Sequence, residues 1–177
     1  MPFFRSLHPL SSVPSTSSFP QRPWFNDGLK FGCSMCGVCC SGSSGSVRFT
    51  EEEASNMAKA KNLELNTFLQ KFARRRGRGE KKYYELKETR NNDGTYDCIF
   101  LDRTTIPGKA VCSIYESKPT QCTTWPWWPE VLESPESWNS HSKGLDGCPG
   151  INEGKNIDVN TILEQLERTE YNRGELM

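Results

Sequence analysis

Residues 33–40 read CSMCGVCC, that is Cys33-Ser34-Met35-Cys36-Gly37-Val38-Cys39-Cys40, which puts four thiols within eight residues. Two-residue spacers let neighbouring thiolates turn toward one centre, as in zinc knuckles and iron–sulfur loops, so the run points to a thiophilic metal. The adjacent pair Cys39-Cys40 complicates a simple site. Successive side chains on an extended backbone diverge, so the pair is expected to serve two centres or to leave one thiol spare. Cys98, Cys112, Cys122 and Cys148 are spread further along the chain beside predicted structure, and Cys148 precedes Pro149-Gly150, which suits a ligand on a tight turn. Eight thiols match two sites of four thiolates each, or one cluster with additional thiols for protection or redox work.

The competing reading of eight cysteines is a disulfide framework. Residues 1–26 argue against it, because they lack the apolar core of a secretory signal and carry no acidic residue, two arginines (Arg5 and Arg22) and many Ser and Pro. That is transit-peptide composition, with a plain disordered tail as the alternative. Residues 1–27 are therefore expected to be a targeting segment or tail. Richness in Ser over Arg favours a chloroplast, with mitochondrion and cytoplasm as alternatives. In a reducing compartment, paired cysteines bind metal or do redox work more often than they form stable disulfides.

The 177 residues have room for about one domain with a single core. Only 34% of them are apolar, which limits that core and leaves a structural role for a metal. With 22 basic and 22 acidic residues the net charge is zero, so no overall field favours nucleic acid or an anionic membrane as partner. No apolar run approaches the ~20 residues of a membrane span. The partner expected from composition is a metal ion or cluster; a protein partner is not identified.

Val47-Arg48-Phe49 reads as a short strand. Thr50 and Glu53 form a capping box for a helix over residues 51–61, whose acidic first turn suits the helix dipole. Leu65, Phe68, Leu69 and Phe72 fall at helical spacing and predict a second helix over residues 66–75, ended by Gly77 and Gly79. Residues 83–87 and 96–101 are β-rich and flank Asn91-Asn92-Asp93-Gly94, which predicts a hairpin between them. A third strand falls at Ala110-Val111-Cys112. The prolines after Cys122 argue against a regular element there, and Asp158 caps a last helix over residues 159–168. The expected architecture is α+β: a small, loop-rich, cysteine- and metal-organised domain over residues 28–177, with about three helices and a short antiparallel sheet.

Taken together, CSMCGVCC, CIFL around Cys98, and CSIYESKPTQCTTWP from Cys112 to Pro126 resemble the CxxCxxCC family of zinc- or iron-chelating domains, also called the YkgJ family. The likeness runs from Gly32 to Cys148. Lys118 stands where that family usually has Arg, Thr123 where a basic residue is common, and Trp125-Pro126 in place of Phe-Pro. The resemblance implies metal binding by Cys33, Cys36, Cys39, Cys40, Cys98, Cys112 and Cys122, with Cys148 as a later family-like cysteine. It also implies a relation to a flagellin lysine methylase that carries an iron–sulfur cluster.

All-thiolate ligation suits zinc and iron–sulfur clusters alike, and the bacterial ferredoxin run, with three residues before its last Cys, is not present. The cofactor is therefore expected to be an iron–sulfur cluster or Zn2+, with eight thiols leaning toward the cluster. No catalytic residue is singled out. His141, the one His beyond the tail, reads as a packing residue, the Trp residues at 125, 127, 128 and 138 as cover over the metal site, and Arg74 to Arg78 as a solvated helix end. The leading function is a metal-binding protein whose thiolates organise the fold. The alternatives are an iron–sulfur-dependent transferase resembling the methylase, although no glycine-rich strand–turn–helix fingerprint for a nucleotide-like donor is present, and a redox or metal-delivery protein.

Overall fold

The computed structural model describes residues 22–78, 81–144 and 146–175, so most of the expected targeting segment lies outside the described residues. In chain order the elements are β1 (Leu29–Phe31), β2 (Ser41–Gly42), β3 (Arg48–Phe49), α1 (Glu51–Ala60), α2 (Leu65–Phe72), β4 (Ala73–Arg78), β5 (Lys81–Leu86), β6 (Glu88–Arg90), β7 (Tyr96–Cys98), β8 (Leu101–Asp102), β9 (Val111–Cys112), α3 (Thr120–Thr123), α4 (Pro135–Ser140), β10 (Lys155–Ile157) and α5 (Val159–Glu175). Among the described residues the strands form four small antiparallel sheets, β1-β10, β2-β7-β6, β3-β5-β4 and β8-β9, rather than one. The class is α+β as expected, and the three longest helices are α1, α2 and α5.

Local chemistry sets the helix starts. Thr50 Oγ1 accepts from the Glu53 N–H at 3.2 Å, and Glu53 Oε2 accepts from the Thr50 N–H at 2.8 Å, which closes the predicted capping box. The other oxygen of Glu53 reaches further. It accepts from the Thr120 N–H at 2.6 Å and from Asn172 Nδ2 at 3.4 Å, tying α1 to the α3 turn and to α5. Asp158 Oδ1 accepts from the N–H groups of Asn160 and Thr161 at 3.0 and 3.1 Å, as its place before α5 predicts. That helix runs on to Glu175, past the expected Arg168, because its last turns still bury Thr169 and Asn172.

Three expectations are corrected by pairing between segments. Helix α2 stops at Phe72, and Ala73 is extended (φ −114°, ψ 151°). The arginine run forms a strand that puts Ala73 opposite Leu86 and Arg76 opposite Tyr83. Arginines have no apolar face for another helical turn to bury, whereas in the strand Arg76 Nε donates to Glu85 Oε1 at 2.6 Å. Glu85, only 6% exposed, also accepts from Ser46 Oγ at 2.8 Å. The Asn91–Gly94 turn does close a hairpin, but it joins β6 to β7, with Glu88 opposite Cys98. Strand β5 is taken by β3 and β4 instead, and the chain turns away at Lys87, whose N–H donates to the Phe72 carbonyl at 2.8 Å. Finally, the proline-rich stretch does contain a helix, α4. Pro135 opens it, where a missing N–H costs nothing, and Ser134 Oγ caps it by accepting from the Ser137 N–H at 3.1 Å.

The described part has two buried apolar clusters where one core was expected. The first gathers Phe49, Met57, Phe68, Leu86, Phe100 and Ile114 beneath α1 and α2, with Cys98 and Cys112 packed on its edge. The second gathers Phe25, Trp127, Val131, Leu132, Trp138, Ile151 and Ile162 along α5, and Cys148 belongs to it. The loop of residues 32–40 packs where these two clusters approach. Ala110 N–H donates to the Met35 carbonyl at 2.8 Å, and Gly32 N–H to the Gly150 carbonyl at 3.0 Å. Gly37 adopts φ +80°, and a Cβ there would stand 2.6 Å from the Ala110 Cβ, so both its backbone and its surroundings require glycine. Gly37→Ala is expected to destabilise the protein by about 1–3 kcal/mol. Urea denaturation of the full chain measures this, and an unchanged midpoint would show that the loop is not pinned at that residue.

Candidate metal centre

All eight cysteines line one cavity of about 290 Å³. Cys33 and Cys36 reach it from the loop after β1, and Cys39 and Cys40 from a single 3-10 turn over Val38–Cys40. Cys98 ends β7, Cys112 ends β9, and Cys122 lies in α3. Cys148, 9% exposed, arrives on the loop held by its own N–H to the His141 carbonyl at 2.7 Å and by the Phe31–Ile151 bridge. Apolar side chains including Phe31, Val38, Phe100 and Ile114 fill the wall between the thiols.

The expected divergence of Cys39 and Cys40 does not hold. Their backbone is a tight turn, not an extended strand, and the two Sγ atoms lie 3.8 Å apart. Two thiolates on one tetrahedral zinc, with bonds of ~2.3 Å, would also be about 3.8 Å apart. The pair shares a hydrogen bond, which with some help from Lys118 lowers the Cys39 thiol to about 7 against the opposing effect of burial. The same bond, followed by burial and by the neighbouring Cys39, Cys122 and Cys98, pushes Cys40 well above the ordinary thiol range. Burial raises Cys98 to about 11, with Cys112, Glu88 and Cys39 adding to it. Cys122 is raised too, first by burial and then by Cys98, Cys112 and Cys39, and burial raises Cys112. Four of these five thiols, Cys40, Cys98, Cys112 and Cys122, are therefore held against ionisation by burial and by their neighbours, a resistance that a bound cation would remove, whereas Cys39 ionises more readily than an ordinary thiol.

Donor chemistry fits a thiophilic metal. Single-ion geometry does not fit as it stands: among the described residues, no group of three or more His, Cys, Asp or Glu side chains is drawn together closely enough to hold one ion. The cavity is also far larger than the ~10–15 Å³ that one water requires. Two buried polar atoms among the described residues have no hydrogen-bond partner, Ser34 Oγ and Trp125 Nε1, and both residues line this cavity.

Sequence reasoning gave the Trp residues a covering role, and Trp125 and Trp128 do line the cavity, while Trp127 stacks on Trp138 at 5.5 Å within the second cluster. It overlooked Ser34 and the indole N–H of Trp125, although each stands close in sequence to a cysteine, Ser34 between Cys33 and Cys36 and Trp125 three residues past Cys122. His141 is a packing residue: its Nδ1 bonds the Ser137 carbonyl at 2.8 Å at the end of α4, and its ring meets Trp125 edge-on. Lys118 lies over the Tyr115 ring at 4.1 Å and is, among the described residues, the one cation on the cavity wall.

No solved structure matches the chain. Residues 32–149, spanning the segments that carry all eight cysteines, match the CxxCxxCC family, described as a zinc- or iron-chelating domain. That match covers 118 of the 177 residues, and the chain is therefore a member of the CxxCxxCC family of zinc- or iron-chelating domains.

Proposed function

We propose that the protein holds an iron–sulfur cluster through cysteine thiolates, with ligands drawn from Cys33, Cys36, Cys39, Cys40, Cys98, Cys112, Cys122 and Cys148. The observation that carries this reading is the convergence of all eight on one cavity of about 290 Å³. One tetrahedral ion takes four thiolates and needs no such space. When bound, a cluster supplies one-electron chemistry, and the largely apolar wall favours its retention, although Cys33, Cys36 and Cys39 stand exposed. Cys39, Cys40, Cys98, Cys112 and Cys122 form the mutually interacting set and are the first candidates for ligands.

A second reading, zinc, draws support from the 3.8 Å separation of Cys39 and Cys40, which suits shared ligation of one ion. Anaerobic purification followed by metal and sulfide analysis separates the two. The cluster reading expects iron with acid-labile sulfide and a visible absorbance that bleaches on reduction. Stoichiometric zinc in a colourless protein would overturn it, since d10 zinc has no redox chemistry.

The thiols also make a prediction about pH. In the metal-free, reduced protein, Cys98 keeps its proton up to about 11, whereas the ordinary thiol value is 9.0. Above pH 9 the unfolded chain therefore binds fewer protons than the native state, and stability is expected to fall as pH rises from 9 to 11. Cys39, lowered to about 7, acts in the opposite sense between 7 and 9. Denaturation of the metal-free protein under reductant should thus show greatest thiol-linked stability near pH 9, while metal affinity rises with pH because binding displaces thiol protons.

A further inference from the structure

Buried polar atoms without partners are rare in folded proteins, and each one calls for an explanation. Here Ser34 Oγ and Trp125 Nε1 are such atoms, on two separate segments that line the same cavity. Three of the other four indoles donate to protein acceptors: Trp24 Nε1 to the Leu132 carbonyl at 2.8 Å, Trp128 Nε1 to the Gln121 carbonyl at 3.1 Å, and Trp138 Nε1 to Asn152 Oδ1 at 2.7 Å. The Trp125 ring is held without using its N–H, edge-on against Trp128 at 4.7 Å and against His141 at 6.2 Å. Ser34 is fixed through its backbone, whose carbonyl accepts from Lys109 Nζ at 3.0 Å. An indole N–H can only donate, and a hydroxyl can donate.

We propose that the Trp125 indole N–H and the Ser34 hydroxyl are hydrogen-bond donors to the sulfur atoms of the metal centre, kept without protein partners until that centre is bound. The assignment rests on the metal reading above and concerns this chain's own positioning residues, not its ligands. The two donors stand on the loop of Cys33–Cys40 and on the segment after Cys122, so they belong to both halves of the thiol set. Donors to charged sulfur are stronger than neutral ones and stabilise the more negative state of the centre. The acceptor sulfur is either a cysteine thiolate or an inorganic sulfide, and both present the same chemistry to an N–H or O–H.

The test uses the full chain as wild type, Trp125→Phe and Ser34→Ala. Three quantities are measured: the melting temperature of the reduced protein both metal-free and metal-loaded, the Zn2+ affinity by chelator competition, and the reduction potential after anaerobic reconstitution with iron and sulfide. Removing an unpartnered donor should leave the metal-free protein as stable as wild type or more so, a sign opposite to that of an ordinary packing loss. Metal-loaded protein should show the reverse. A 10–100-fold weaker Zn2+ affinity identifies thiolate as the acceptor, and a reduction potential shifted negative in the iron–sulfide arm alone identifies sulfide. Variants that match a loading wild type in both arms would overturn the donor assignment while leaving the metal reading intact. So would variants whose metal-free and loaded forms lose stability in parallel. A wild type that takes up neither metal would overturn both. Ser34→Ala keeps the question open to experiment if Trp125→Phe does not fold.

Discussion

Thiols brought together in an apolar wall resist ionisation, and a thiophilic metal requires them ionised. In this protein that opposition is built from several separate pieces of backbone. Burial raises Cys98, Cys112 and Cys122, and their mutual repulsion adds to it. The metal-free cavity therefore holds Cys40, Cys98, Cys112 and Cys122 in protonated form, and a cation that displaces those protons offsets both the desolvation penalty and the repulsion. Because Cys98 and Cys112 sit on the edge of one apolar cluster and Cys148 lies within the other, an occupant of the cavity would also join the two. A chain with this little apolar sequence gains from such a link.

The frame around the cavity is tied by a few polar contacts that reach across the sequence. Glu53 is the clearest. One of its oxygens completes the cap of α1, and the other accepts from Thr120 in the turn that carries Cys122 and from Asn172 on α5. The α3 turn, too short to hold itself, is further placed by Gln121, whose side chain accepts from the Arg48 N–H at 3.1 Å and donates to the Ser46 carbonyl at 3.0 Å. Gly37 lets the CSMCGVCC loop press against Ala110, and Cys39 and Cys40 line the same cavity as Cys98 and Cys112.

The arginine strand and the hairpin partners depart from the sequence pattern for one reason. The helix pattern through Phe72 was legible because its apolar residues are periodic, yet the arginines after it carry no pattern that separates helix from strand. Their state was settled by a partner strand and by the buried carboxylate of Glu85. In the same way Asn91–Gly94 announced a turn correctly but not which strands it joins. Pairing is decided by which faces find cover, and β5 found it between β3 and β4. Missing α4 was a different matter, since Ser134-Pro135 is a local start signal that the surrounding prolines obscured.

The sequence by itself determined the chemistry. Thiol spacing in residues 33–40, the capping box at Thr50, the cap at Asp158 and the family likeness are all fixed by neighbours a few residues apart, because chelation and helix initiation act over that range. Only the tertiary structure decided that Cys98, Cys112, Cys122 and Cys148 line the same space as CSMCGVCC, that Cys39 and Cys40 lie side by side, and that Trp125 and Ser34, each with a buried polar atom lacking a partner, line that space too. These are relations between residues far apart in the chain, set by the packing of two apolar clusters, and no local pattern encodes which walls of a cavity will meet.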